Sequence, residues 1–278
     1  MKWSIVTDSS CDYQIDRNIP DNISIAEVPF TISVGSKDYV DTPDLDVAAM
    51  LDDMDACKEA SRTACPSPGA WYEHFEKADC TIAVTISSNL SGSYNSAVNA
   101  RDMILEKYPE KKIYILDSLS AGSVLSMYVE LAIELIEKGH GFEEVVLGLK
   151  EFAKERHTIF ALASFNNLVK NGRVSKLSGF IAGKLGIWGI GIASPKGTII
   201  VKSKTRGIPH VLSAFIEDMK ENGFKGGYVI ISHCHNLELA QELRKKIVEL
   251  WESTKVKILE TGGLCSFYAE KRGMIVAY

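Results

Sequence analysis

An α/β fold built on a parallel sheet is what this sequence predicts, and three segments predict it. Residues 3–7, WSIVT, are a short apolar run that stops at Asp8-Ser9-Ser10, as a strand buried on both faces does when it meets a loop at its carboxyl end. Residues 80–108 (CTIAVTISSNLSGSYNSAVNARDMILEKY) and 112–141 (KIYILDSLSAGSVLSMYVELAIELIEKGHG) each read as an apolar strand, a Ser/Gly-rich turn and an amphipathic helix. Strands alternating with helices in this way build parallel sheets, and open sheets of that kind keep their sites at the carboxyl ends of the strands.

The remaining elements follow in order. Val129, Ile133 and Ile136 recur at helical spacing, and Lys138-Gly139 supplies the basic last turn and terminal glycine that close a helix. A further helix is expected over 142–155. From about residue 158 the texture changes to IFALASFNNLVKNGR, then the Gly-rich apolar run SGFIAGKLGIWGIGIA, then PKGTIIVKSKTRG, a turn into a strand. GGYVIISHCHN and LELAQELRKKIVELWES read as a strand and an amphipathic helix, and KVKILET and GMIVAY as final strands. The change of texture divides the chain into 1–157 and 158–278, a soft boundary across which segments can exchange.

Bulk composition narrows the class. The 278 residues are 46% hydrophobic and 24% charged, the balance of a globular chain. A formal charge of −5 leaves no cationic excess to neutralise a phosphate backbone, so nucleic acid is not expected as a partner. No apolar run reaches spanning length and the N-terminus lacks a signal-peptide core, so a cytoplasmic, non-membrane-spanning protein is expected. The six cysteines are scattered with no CxxC pair, which favours free thiols over a metal site. His233-Cys234-His235 has no second cysteine near it in sequence and reads as a strand-to-loop junction.

Catalytic fingerprints are missing: there is no GxxxxGK[ST], HExxH or GxSxG. Gly189-Ile190-Gly191 is half of a dinucleotide fingerprint, but Ser194-Pro195 follows where a glycine is required. What stands out is hydroxyl-rich loops: Asp8-Ser9-Ser10, Thr63 with Ser67, Ser87 to Ser93, and Asp117-Ser118 with Ser120. Several fall at strand ends and could converge on one crevice. Hydroxyls and backbone N–H groups with few cations suit an uncharged or singly anionic group such as a carboxylate. The same residues also build turns and helix caps, and Ser91 or Ser93 fits a cap for the helix that follows.

These residues resemble a known family. IVTDSSCD, VPFTISVGSKDYVDT, TACPSP, SSNLSGSYNSA, IYILDSLSAG, NLVKNGRVSK and SKTRG occur in the order and at roughly the spacing of the DegV family, over nearly the whole chain. The resemblance implies two α/β domains: an N-terminal three-layer domain with a mostly parallel sheet and a C-terminal two-layer domain, with lipid held at and beneath their interface. It implies non-covalent binding of one palmitate-like long-chain fatty acid, no cofactor, no metal and no chemistry by this chain alone. The implied partner is a fatty acid kinase to which the carboxylate is presented.

By the same resemblance Thr63 and Ser91 would hydrogen-bond the carboxylate, and Arg173 would lie near the head group or dock the kinase. Donors there replace lost hydration, without which burying a carboxylate is costly. The tail would lie along 159–168 and 179–193. Many relatives carry a histidine followed by small residues before the last strand; here the segment is GGLCSFYAEKRG, without histidine, and Ser266 falls nearest that position with bulky Phe267 and Tyr268 beside it. Two other readings compete. A small hydrolase or transferase with Ser91 as nucleophile needs a base within reach, and none of the six histidines sits in a partner motif. A purely regulatory module would lack a deep apolar tunnel.

Overall fold

Apolar strands that are followed directly by helices must bury both faces, and the chain does so by stacking sheets and helices. The computed structural model describes residues 1–15, 17–174 and 186–278. Strands β1 (Trp3–Asp8) and β2 (Ile23–Val28) lead to the ribbon β3 (Thr31–Val34) and β4 (Lys37–Val40), then α1 (Val47–Ala56), β5 (Arg62–Ala64) and α2 (Pro68–Phe75). The two βα units follow as β6 (Cys80–Thr85), α3 (Ser93–Lys107), β7 (Lys112–Asp117) and α4 (Ser123–Glu137), with α5 (Phe142–Glu155) after them. Next come β8 (Thr158–Leu162), α6 (Asn166–Lys170), β9 (Ile187–Ala193), β10 (Ile199–Arg206) and α7 (Ile208–Glu221). The chain ends with β11 (Tyr228–His233), α8 (Leu237–Leu250), β12 (Lys255–Glu260), α9 (Gly263–Ala269) and β13 (Met274–Ala277).

The first sheet, in the order β2-β1-β6-β7, is parallel throughout. All six residues of β1 and of β6 are buried, as continuous apolar runs in a doubly covered sheet require. Trp71 and Phe75 of α2 and Ala97, Ala100 and Ile104 of α3 cover one face; α4 covers the other. The second sheet, β10-β9-β8-β13-β11-β12, is antiparallel except for its β11–β12 pair. Phe215 of α7 and Leu243 of α8 pack on its outer face. Strands β4-β3-β5 form a small antiparallel sheet.

Helix α4 is the shared layer. Its face of Val129, Ile133 and Ile136 is buried, and so are Val124, Leu125, Met127 and Tyr128, because the helix packs against β1 and β6 on one side and β11 and β13 on the other. A helix apolar nearly all round belongs in a core. The Ser123 hydroxyl bonds both Ser232 (2.8 Å) and the Ile275 carbonyl (2.9 Å), tying the start of this helix to the second sheet. Gly189 and Gly191 lie within β9, where a Cβ would come within 2.3 Å of Phe165 and Phe160 respectively. The paired glycines therefore seat two aromatic rings across the strand.

Helix α9 was not foreseen from its sequence. Its seven residues begin Gly263-Leu264, and its first N–H groups are held from far away in the chain. Asp41 accepts from Gly263 N and Leu264 N, both at 2.7 Å, and Asp12 accepts from Gly262 N at 3.0 Å. Anions are stabilised at a helix N-terminus, where unpaired N–H groups gather.

These carboxylates are buried, and Glu27 of β2 lies close enough to feel them. Burial first, and then repulsion from Asp41, Asp8 and Asp12, pushes Glu27 up to about 8. Burial likewise moves Asp12 and Asp41 to about 6, against their N–H contacts. A carboxyl whose pKa is raised by folding binds its proton more tightly in the folded state. Stability therefore falls as pH rises from the ordinary carboxylate range through these values, and acidification from pH 8 towards 6 restores it. Glu27→Gln is expected to raise the Tm at pH 8 by roughly 3 °C and to flatten its pH dependence between 6 and 8. Calorimetry at several pH values checks this, and an unchanged slope would contradict it.

Candidate functional site

Two of the hydroxyl-rich loops, 8–10 and 87–93, converge because one buried carboxylate gathers them. Asp8, fully buried at the end of β1, accepts from Ser10 N (3.2 Å), Ser10 Oγ (2.5 Å), Ile86 N (3.0 Å) and Ser93 Oγ (2.6 Å). Burial raises its pKa while these four donors pull it down. The loop after β1, the loop after β6 and the first turn of α3 are thereby fastened together.

Beside this knot opens a cavity of about 830 Å³, the open solvent at its mouth included. Its wall is mostly apolar, with Phe30, Ile86, Phe160, Leu162, Leu168 and Ile275 prominent. The expected wall at 159–168 thus contributes Phe160, Leu162 and Leu168. Of the expected wall at 179–193, Ala193 lines the cavity, whereas Trp188 and Ile190 belong to the core under α7; residues 179–185 lie outside the described residues, as do Ser175 and Lys176.

Besides Ser10, Ser120, Thr158 and Thr198, polar side chains reach the wall at Thr63, Ser91, Arg173 and Tyr268. Thr63, Ser91 and Arg173 all line the cavity, so three of the four site residues expected from sequence are brought together. Thr63 Oγ1 lies 3.0 Å from the Tyr268 hydroxyl, and the Arg173 guanidinium sits 5.7 Å from the centre of the Tyr268 ring. Arg173 Nε donates to the Leu90 carbonyl (3.2 Å), next to Ser91, and Nη1 donates to the Asn171 carbonyl (2.6 Å). A guanidinium has five donors in a planar fork, so these two backbone contacts aim Arg173 without exhausting it. Ser91 Oγ also accepts from Ser93 N (3.3 Å), while the cap position of α3 is Gly92. Turn-building and cavity-lining therefore coincide in Ser91.

Ser266 is placed elsewhere. Its hydroxyl pairs with Thr261 Oγ1 (2.7 Å) and the Thr261 carbonyl (3.1 Å), and it lines a second cavity of about 1030 Å³. Residues two apart on a helix point to different sides, so when 263–269 coils it is Tyr268 that faces Thr63. Tyr268 is the residue that sequence reasoning missed; a short helix beginning with glycine gave no periodic signal. The second cavity is lined by Asp12, Glu27, Asp41 and Glu260; wherever these carboxyls are ionised, as Asp12 and Asp41 become above about 6, they repel an anion.

Ser87 and Asn89 do a different job from Ser91. Ser87 Oγ donates to the Gly197 carbonyl (2.7 Å) and Asn89 Nδ2 to the Lys196 carbonyl (2.8 Å). They latch the turn between β9 and β10, whose Gly197 and Thr198 line the cavity. Gly197 has φ of +73°, and a Cβ there would meet Ser87 Oγ at 2.2 Å and Leu119 Cα at 2.8 Å. Gly197→Ala is expected to break the latch at a cost of about 1–3 kcal/mol. A lower urea midpoint together with faster amide exchange across 194–198 checks this; wild-type values for both would contradict it.

Among the described residues, no histidine, aspartate or glutamate lines the apolar cavity beside Ser91. Among the described residues no group of three His, Cys, Asp or Glu could hold a metal, and no helix is long and apolar enough to cross a membrane. The six cysteines are unpaired, and Cys65 is exposed, close to Gly92.

Comparison with known proteins follows the same lines. A DegV domain-containing protein of Streptococcus pneumoniae is 41% identical over 281 residues, covering 100% of this chain and 99% of that protein. The crystal structure of the S. pneumoniae Fatty Acid Kinase (Fak) B3 protein loaded with linoleic acid matches with a TM-score of 0.97 at 40% identity, over 100% of this chain and 99% of that one. A DegV family protein from Eubacterium eligens loaded with heptadecanoic acid matches with a TM-score of 0.94 at 36% identity, over 99% and 98% of the two chains. The family model described as "Uncharacterised protein, DegV family" matches residues 2–278, and the chain belongs to the DegV family.

Proposed function

We propose that this protein binds one long-chain fatty acid non-covalently in the apolar cavity, with the carboxylate at Thr63, Ser91 and Arg173, and presents it to a separate fatty acid kinase. The observation that carries the reading is the cavity itself: a mostly apolar wall in which Thr63, Tyr268 and Arg173 are linked to one another and Arg173 reaches the Leu90 carbonyl beside Ser91. Two relatives of the same fold, 40% and 36% identical, are loaded with linoleic and heptadecanoic acid. At ~0.8 kcal/mol per buried CH₂, a palmitate-like tail offers on the order of 11 kcal/mol of gross transfer energy. Tail burial then dominates affinity, and the head-group donors offset the cost of dehydrating the carboxylate.

The division of labour follows from the chain order. The segment 1–157 carries Thr63 and Ser91, and 158–278 carries Arg173 and Phe160, so the ligand sits between two α/β domains divided near residue 157 and working in the cytoplasm. Arg173, on the cavity wall, puts positive charge beside the bound carboxylate, where an incoming phosphoryl group would need it. ATP chemistry belongs to the kinase. A hydrolase using Ser91 would need a base, and among the described residues no histidine, aspartate or glutamate lines the cavity.

Mass spectrometry of lipid extracted from purified protein tests the reading. Wild type is expected to carry close to one fatty acid per chain, and Thr63→Ala/Ser91→Ala to lose most of it. A wild type that carries none, and takes up none when offered palmitic acid, would overturn the proposal.

A further inference from the structure

We infer that Tyr268 is a head-group ligand in its own right, and that its phenol and the Thr63 hydroxyl work as one hydrogen-bonded pair that selects for an ionised acid. The inference rests on the fatty-acid reading and names the residue that gives the site its preference for a carboxylate. The Thr63 Oγ1 to Tyr268 hydroxyl contact, 3.0 Å long, joins residues 205 apart in sequence on the wall of the cavity. Two hydroxyls in contact hold two protons and spend one on each other. Whichever donates to its neighbour, the other keeps a proton free for an incoming acceptor. Polarisation along such a chain strengthens that remaining donor, and a carboxylate, accepting charge-assisted bonds, gains more from it than an ester does.

The phenol is held in place from several sides, which makes it a preorganised donor. Asp41 grips the first N–H groups of α9 at 2.7 Å. Phe267 packs edge-on against the Tyr268 ring with centroids 4.8 Å apart. The Arg173 guanidinium lies 5.7 Å from the ring centre, so the aromatic face also steadies the cation. The ring thus links the Thr63 hydroxyl to Arg173, and Arg173 reaches the Leu90 carbonyl beside Ser91.

Tyr268→Phe removes the hydroxyl and leaves the ring, its Phe267 contact and its Arg173 contact. Dissociation constants for palmitic acid and for methyl palmitate are compared in wild type, Tyr268→Phe, Thr63→Ala and the double variant, with melting temperatures confirming that each is folded. The expected result is roughly tenfold weaker binding of the acid by Tyr268→Phe with the ester nearly unchanged, and a double variant little worse than either single one. A merely structural tyrosine would weaken acid and ester alike, and that outcome overturns the inference, as does unchanged acid binding by Tyr268→Phe. If wild type binds neither probe, the fatty-acid reading fails first; if wild type binds the acid and the acid-to-ester ratio does not move, only the role of Tyr268 fails.

Discussion

The structure around the site depends on the Asp8 carboxylate. A buried carboxylate is tolerable only when its oxygens are satisfied, and Asp8 meets that demand with two donors from Ser10, one from Ile86 and one from Ser93. Because those donors come from different loops, satisfying one residue fixes the relative positions of three segments at the carboxyl edge of the parallel sheet. Ser10, Ile86 and Ser91, each on or beside a fastened segment, are then delivered to one cavity wall. The opposite side is built by the same logic at longer range, where Asp41 and Asp12 hold the start of α9 and so present Leu264 and Tyr268 to that cavity.

Much of this was legible in the amino acids. WSIVT, CTIAVT and KIYILD are β1, β6 and β7, because uninterrupted apolar runs admit few alternatives once a Ser/Gly turn and a helix follow each. The place of Ser91 was also within reach, since loops after parallel strands open on the same edge; Thr63 instead lies on β5 of the small antiparallel sheet, paired with Ile32, and arrives there by a long-range pairing that no local pattern announces. Helix α4 was readable as a helix, but its burial on both sides depends on β11 and β13 of the second sheet, which begin only at Tyr228 and Met274.

Helix α9 marks where local reasoning stops. Gly262-Gly263 carries no capping side chain, the helix is too short to show a period, and its N-terminal N–H groups are satisfied by Asp41, 222 and 223 residues distant. Without the helix, alignment of the final strands pointed to Ser266; with it, the register turns Ser266 towards Thr261 and Tyr268 towards Thr63. Gly189 and Gly191 teach the complementary lesson: a pattern that imitates a phosphate-binding turn serves instead to seat Phe165 and Phe160 on a strand.

The central claim is that one cavity holds the whole ligand, acid group at the hydroxyl cluster and tail in the apolar wall. A crystal structure with a long-chain fatty acid brominated at its terminal carbon, read by anomalous scattering, tests that claim most directly. The account predicts a carboxylate within about 3 Å of Thr63 Oγ1 and Ser91 Oγ and a bromine peak enclosed by the apolar wall that includes Phe160, Leu162 and Ile275. A carboxylate lodged instead in the cavity of Asp12, Asp41 and His233, or a bromine left in solvent, would contradict it.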